Sequence, residues 1–192
     1  ITLLAAIPIA LLIKLTSPGP VFFQQVRIGK DGKPFSLLKF RSMYCATPAY
    51  AQKGRVSVEE YITPAGRLLR RTLFDELPQF FNVLKGEMSL VGPRPELPNI
   101  VARYESWERE RLSVKPGVTG WWQINGLRQP MSAHTHLDIA YIRSRSLRFD
   151  SYIVWMTILQ ALSSIFPRLN KLYDPHCAFP INNPDVAQTD FS

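Results

Sequence analysis

The chain opens ITLLAAIPIALLIKL, with thirteen residues before the first charge, Lys14, and with Pro8 inside the run. A helix that crosses a bilayer needs about 20 apolar residues, so this run is too short to span as it stands. It lacks the basic n-region of a signal peptide. Proline within a helix removes a hydrogen bond and bends or breaks it. A basic block follows: Lys14, Arg27, Lys30, Lys33, Lys39, Arg41, Lys53 and Arg55, with Asp31 as the single acid before Glu59. An apolar, proline-interrupted segment followed by positive charge reads as re-entrant or interfacial, with its cations on the cytoplasmic side. The alternatives are an ordinary buried helix and the end of a truncated spanning helix. The chain starts without Met, so a longer protein lacking its N-terminal part is expected.

Charge sets the class of partner. The net charge is +8 over 192 residues, with 46% apolar and 20% charged residues, the profile of one folded domain with a substantial core. The basic excess points to phosphates, nucleic acid or an anionic lipid surface. Cys45 and Cys177 fit no metal or redox spacing, which argues for a reducing compartment without a disulfide framework, and His134, His136 and His176 have no evident companion ligand. No Walker loop or dinucleotide fingerprint is present, so phosphate binding falls to side chains and helix ends.

The turn signals Gly19-Pro20 and Asp31-Gly32 bracket Val- and Phe-rich runs, which predicts a short hairpin bringing Arg27 near Lys39 and Arg41. TPAGRLLRR predicts a helix with Thr63 as N-cap and Pro64 at its first position. NIVARYESWERERL places Ile100, Val101, Tyr104 and Trp107 at helical spacing. Residues 151–167 carry no charge, and Tyr152, Trp155, Met156, Leu159 and Leu162 form one stripe. Either segment suits an interfacial helix or a plain core. The fold class expected is α+β, a mainly helical single domain over residues 1–166. It would carry a small β-hairpin, an N-terminal re-entrant membrane helix and interfacial amphipathic helices, with 167–192 as an extended C-terminal tail.

RRTLFDELPQFFNVLKG sets Asp75 and Glu76 after two arginines. Capping accounts for all of it: Asp75 as N-cap, Glu76 and Pro78 in the first turn, Phe80, Phe81, Val83 and Leu84 packed inward, and Gly86 as the C′ residue. The rival reading makes one of the two acids a nucleophile. In MSLVGPRPELP the prolines at 93, 95 and 98 hold Arg94 in a stiff turn suited to phosphate recognition. VKPGVTGWWQINGLR is a third rigid stretch, ending at Arg128.

Together SPGPVFFQQVRIG, KFRSM, GRLLRRTLFDELPQFFNVLKGEMSLVGPRPE, VKPGVTGWWQING and LDIAYIRSRSLRFD stand in one order. In that order the chain resembles the bacterial sugar transferases, monotopic polyprenyl-phosphate phosphoglycosyl transferases that begin glycan assembly, from about Ile9 to about Leu162. The resemblance implies transfer of a sugar-1-phosphate from a UDP-sugar to undecaprenyl phosphate, releasing UMP through an aspartyl-phosphosugar intermediate, with Mg²⁺ as cofactor. It implies Asp75 as nucleophile and Glu76 as its companion, the two also as metal ligands. Lys39, Arg41, Arg70, Arg94 and Arg128 would bind substrate phosphates. Asp138 and Asp150 match late carboxylates of the pattern. The partners implied are the UDP-sugar, polyprenyl phosphate and membrane lipid, with no nucleic acid, at the cytoplasmic face of the bacterial inner membrane. Where the family often has Asn-Gly-Arg, this chain has Asn125-Gly126-Leu127-Arg128. A membrane-tethered polyanion binder without catalysis and a metal-dependent phosphohydrolase are the competing classes.

Overall fold

Helix α2, Pro64–Thr72, begins as its sequence dictates. The Thr63 hydroxyl accepts the Gly66 N–H at 2.9 Å and proline occupies the first turn. The structure is a computed structural model, and it describes residues 2–47, 58–125 and 135–166. It is mixed α+β, mainly helical with two small sheets.

Helix α1, Thr2–Thr16, runs through Pro8 without ending there, so the proline does not break it. Its two sides have different fates. Ile9 and Ile13 are buried against Phe40, Ala65 and Leu69, whereas Ile7, Leu11 and Leu15, spaced four apart, are exposed. Among the described residues no helix is long and apolar enough to cross a membrane.

Strands β1, Phe22–Ile28, and β2, Pro34–Phe40, pair antiparallel around Asp31-Gly32, the hairpin expected. Its register corrects the expected neighbourhood of the basic residues. Arg27 lies opposite Phe35 near the turn, whereas Lys39 lies opposite Phe23 toward the far end. Phe35, Leu37 and Lys39 alternate along β2, which puts Lys39 on the face that carries the buried Phe35 and Leu37.

Helix α3, Gln79–Leu84, inverts most of its expected packing; of the four apolar residues expected inward, only Val83 packs against the core. Gln79 and Asn82 are buried, while Phe80, Phe81 and Leu84 are exposed. Asn82 explains the inversion by stitching the helix to the hairpin. Its amide donates to the Ser36 carbonyl (2.8 Å) and to Glu87 Oε2 (2.7 Å), and its Oδ1 accepts the Leu38 N–H (3.1 Å). Gly86, at φ 78°, turns the chain away after α3 in the left-handed conformation glycine adopts without strain.

Strand β3, Ser89–Val91, pairs in parallel with β4, Gly117–Thr119. Just beyond β3, Gly92 lies against the backbone at Gly117, where a Cβ would fall 2.1 Å from the Gly92 nitrogen. The two glycine-punctuated motifs are therefore one feature, a backbone-to-backbone crossing that admits no side chain.

Helix α4 covers only Pro98–Val101, and a 3₁₀ segment, Glu108–Ser113, follows after a turn, so residues 100–107 do not form the amphipathic helix expected. Helices α5, Trp121–Asn125, α6, Thr135–Ser144, and α7, Leu147–Ile165, close the structure. The apolar stripe expected on α7 divides between two faces. Phe149, Ile153, Met156 and Leu159 join the core with Trp121 and Tyr141, and Trp155, Ile158, Leu162 and Ile165 are exposed. The segment from 167 to 192 lies outside the described residues.

Candidate active site

The Asp-Glu pair is not the cap of a helix. α2 ends at Leu73, which adopts φ 59°, a left-handed conformation a leucine takes only at some steric cost. The reversal leads into a 3₁₀ turn, Phe74–Glu76, and the N-cap position of α3 belongs to Pro78, with no side-chain capping bond. Asp75 is therefore free of the capping role, and it is buried at 8% exposure.

Three segments bring charge to this turn. From β2, Lys39 Nζ reaches Glu76 Oε1 at 2.5 Å. From the loop after β3, Arg94 Nη1 reaches the same oxygen at 3.4 Å. From α2, Arg70 holds Ser42 Oγ through its Nε at 2.9 Å, and its charge acts on Asp75. Arg94 is the least covered of the Lys39–Glu76–Arg94 group, its side chain 31% exposed against 15% for Lys39 and 17% for Glu76.

Electrostatics separate the two acids. Burial works against ionisation of Glu76, but Lys39 and Arg94 outweigh it and hold the carboxyl down at about 2. Burial pushes Asp75 up, and the Glu76 charge adds to that, against the pull of Lys39, Arg70 and Arg94. Burial likewise lowers Lys39, opposed first by Glu76. The result is a fixed anion, Glu76, that organises cations, beside a carboxylate, Asp75, to which no donor among the described residues is bonded. A buried carboxylate with uncommitted lone pairs amid cations that suit phosphate is equipped for attack at phosphorus.

A family model described as bacterial sugar transferase matches residues 1–164. The chain belongs to the bacterial sugar transferase family. It is 44% identical over 164 residues to the UDP-glucose:undecaprenyl-phosphate glucose-1-phosphate transferase of Escherichia coli strain K12, covering 79% of this chain and 35% of that protein. It is 44% identical over 155 residues to the uncharacterized sugar transferase EpsL of Bacillus subtilis strain 168, covering 79% of this chain and 75% of that one. To the UDP-N-acetylgalactosamine-undecaprenyl-phosphate N-acetylgalactosaminephosphotransferase of Aeromonas hydrophila it is 39% identical over 166 residues, covering 83% of this chain and 39% of that protein. The chain thus spans about a third of the length of the Escherichia coli relative.

Within this sugar transferase fold, five of the residues singled out from sequence, Lys39, Arg70, Asp75, Glu76 and Arg94, meet at one turn. Arg41 does not join them. Its guanidinium donates to the carbonyls of Pro20 (2.6 Å), Pro18 (2.7 Å) and Ser17 (2.9 Å), fastening the end of α1 to β2, so its charge is spent on backbone dipoles. Arg128 lies outside the described residues. Asp150 accepts the Tyr141 hydroxyl at 2.8 Å, a bond between α6 and α7.

Sequence reasoning named Arg27 but not its partner Glu96, and it overlooked Arg111. Arg27 and Glu96 form an ion pair at 3.8 Å beside the Arg94 loop. An acid inside the proline-locked PRPE stretch was the available signal for Glu96. Arg111 sits in ESWERERL, where nothing distinguishes it from the charges on either side, yet it is buried to 4% exposure and paired with Asp138 at 2.7 Å.

Proposed function

We propose that this protein transfers a sugar-1-phosphate from a UDP-sugar to undecaprenyl phosphate at a membrane surface, releasing UMP. Asp75 carries the reading: it is an unengaged, buried carboxylate set beside Lys39, Arg70 and Arg94. The relatives in Escherichia coli and Aeromonas hydrophila bear names for this reaction with glucose and N-acetylgalactosamine respectively, which supports the reaction class and leaves the sugar open.

In this mechanism an Asp75 oxygen attacks the sugar-bearing phosphorus. A P–O bond forms to Asp75, and the P–O bond to the uridine-bearing phosphate breaks, with its electron pair leaving on UMP. The lipid phosphate then attacks the same phosphorus and returns Asp75 as a carboxylate. Arg94, Arg70 and Lys39 balance charge on the phosphoryl oxygens, and Glu76 keeps Lys39 and Arg94 in place. The raised Asp75 carboxyl makes a better nucleophile once ionised than a fully solvated aspartate.

The donor set suits magnesium. Lys39 and Arg94 both bind Oε1 of Glu76, which leaves Oε2 and the Asp75 oxygens as available donors. Among the described residues no cluster of three or more His, Cys, Asp or Glu surrounds them. Mg²⁺ is commonly held by one or two carboxylates, with substrate phosphates and waters completing its shell. Asp75 and Glu76 would hold it, and when bound it supplies neutralising charge to the diphosphate.

A lipid acceptor also fits the surroundings. A cavity of about 230 Å³ between α1 and α2 is lined by Pro8, Ile9, Leu12, Leu68, Leu69, Thr72 and Phe74, and Phe74 immediately precedes Asp75. We place the chain on the cytoplasmic face of the inner membrane, where the basic block meets anionic lipid. The test is a panel of UDP-sugars with undecaprenyl phosphate and Mg²⁺, read as UMP release. One or two sugars should turn over, and only with the lipid acceptor present. Nucleotide-sugar hydrolysis that ignores the lipid would overturn the reading.

A further inference from the structure

The loop that carries Arg94 is pinned with unusual completeness. The Pro93 carbonyl accepts the Gly117 N–H at 2.9 Å, and the Arg94 carbonyl accepts Arg111 Nη2 at 3.1 Å. The Pro95 carbonyl accepts Arg27 Nη1 at 3.2 Å, and the Glu96 carbonyl accepts the Ile28 N–H at 2.9 Å. Four successive carbonyls are thus held by four donors from three segments: β1, the 3₁₀ segment and β4. Prolines at 93 and 95 remove two N–H groups and fix φ on either side of Arg94.

Arg111 is the costly member of this set. Its guanidinium lies among three acceptors from three parts of the chain: the Arg94 carbonyl, the Tyr104 hydroxyl, and the Asp138 carboxylate at 2.7 Å from the first turn of α6. Arg111 is 4% exposed and Asp138 fully buried. A buried ion pair is a poor way to gain stability, because desolvating two charges offsets most of their attraction and apolar side chains would serve as well. The pair is spent where orientation matters, behind the guanidinium that reaches the Asp-Glu turn.

We infer that Arg111 and Asp138 are positioning residues: Asp138 orients the Arg111 fork, and Arg111 fixes the Arg94 backbone so that its side chain meets the donor diphosphate. This rests on the reading of Arg94 as a phosphate contact. Small displacements of a positioned group cost much of its effect, so the pair acts on ligand binding through Arg94 and through no other route.

The experiment uses the full chain and uridine diphosphate, which carries the diphosphate common to every UDP-sugar, with Kd measured by calorimetry for four proteins. Arg94→Ala should weaken UDP about tenfold or more, the scale of a lost charge-assisted bond. Asp138→Asn should weaken it on the order of fivefold through misplacement. The Asp138→Asn/Arg94→Ala double variant should bind no more weakly than Arg94→Ala alone, because the pair has nothing left to position. A merely structural pair would instead give multiplying losses. Multiplying losses, or a silent Asp138→Asn beside an impaired Arg94→Ala, overturn the inference and leave Arg94 its role. A silent Arg94→Ala overturns both. If Asp138→Asn fails to fold, Tyr104→Phe, which removes only the hydroxyl acceptor, takes its place in the same cycle under the same criteria.

Discussion

Asp75 and Glu76 are adjacent in sequence, and their surroundings push their carboxyls in opposite directions. Glu76 is an anion kept down at about 2 by Lys39 and Arg94, whereas burial raises Asp75 and Glu76 raises it further. The acid limb of kcat/KM reports the base in the free protein, so it should lie above the ordinary aspartate range. Glu76→Gln removes a repelling charge and releases Lys39 and Arg94 to act on Asp75. Both changes favour the ionised form. The acid limb should therefore move to lower pH in Glu76→Gln, even though turnover falls. A pH–rate series in which the limb moves upward or stays in place contradicts this picture of the pair.

At the scale of elements, α3 tests whether polar stitching or apolar packing sets the fold. Asn82→Leu adds apolar area to an apolar helix and would look stabilising from sequence. It deletes the bonds to Ser36, Leu38 and Glu87 in a buried setting, so chemical denaturation should show a loss of about 2–4 kcal/mol. An unchanged midpoint would show that the exposed Phe80, Phe81 and Leu84 turn inward instead. The same element marks the limit of what was legible in the sequence. The Thr63 cap, the Asp31-Gly32 hairpin and the Gly86 turn were readable because each depends on a few adjacent residues with fixed backbone demands. The facing of α3 was not, because it is set by Asn82 meeting a strand some forty residues away in sequence. Arg41 misled for a similar reason. Its motif neighbours Lys39 on the strand, and only the folded turn at Ser17–Pro20 reveals three carbonyls waiting for it. The left-handed Leu73, which turns the Asp-Glu pair inward, leaves no glycine to announce it.

For the whole molecule, the distribution of apolar surface is the leading observation. Ile7, Leu11 and Leu15 on α1, Phe80, Phe81 and Leu84 on α3, and Trp155, Ile158, Leu162 and Ile165 on α7 are all exposed. Exposed apolar surface on this scale marks a binding surface, and the lipid acceptor proposed above would set it against a membrane. Deleting the first helix would not test this, because Ile9 and Ile13 belong to the core. Leu11→Glu with Leu15→Glu leaves the buried side of α1 intact, and it should shift the protein from liposome-bound toward free in flotation. Unchanged flotation would assign membrane contact to α3 and α7 alone. The central claim is that Asp75 becomes covalently modified, and one measurement addresses it most directly. The protein is mixed with its UDP-sugar and Mg²⁺ without lipid, and UMP is followed while intact mass is recorded. The account predicts a burst of at most about one equivalent of UMP, a phosphosugar adduct on the peptide containing Asp75, and loss of both in a folded Asp75→Asn variant. An Asp75→Asn protein that still turns over UDP-sugar, or an adduct mapped to another residue, contradicts it.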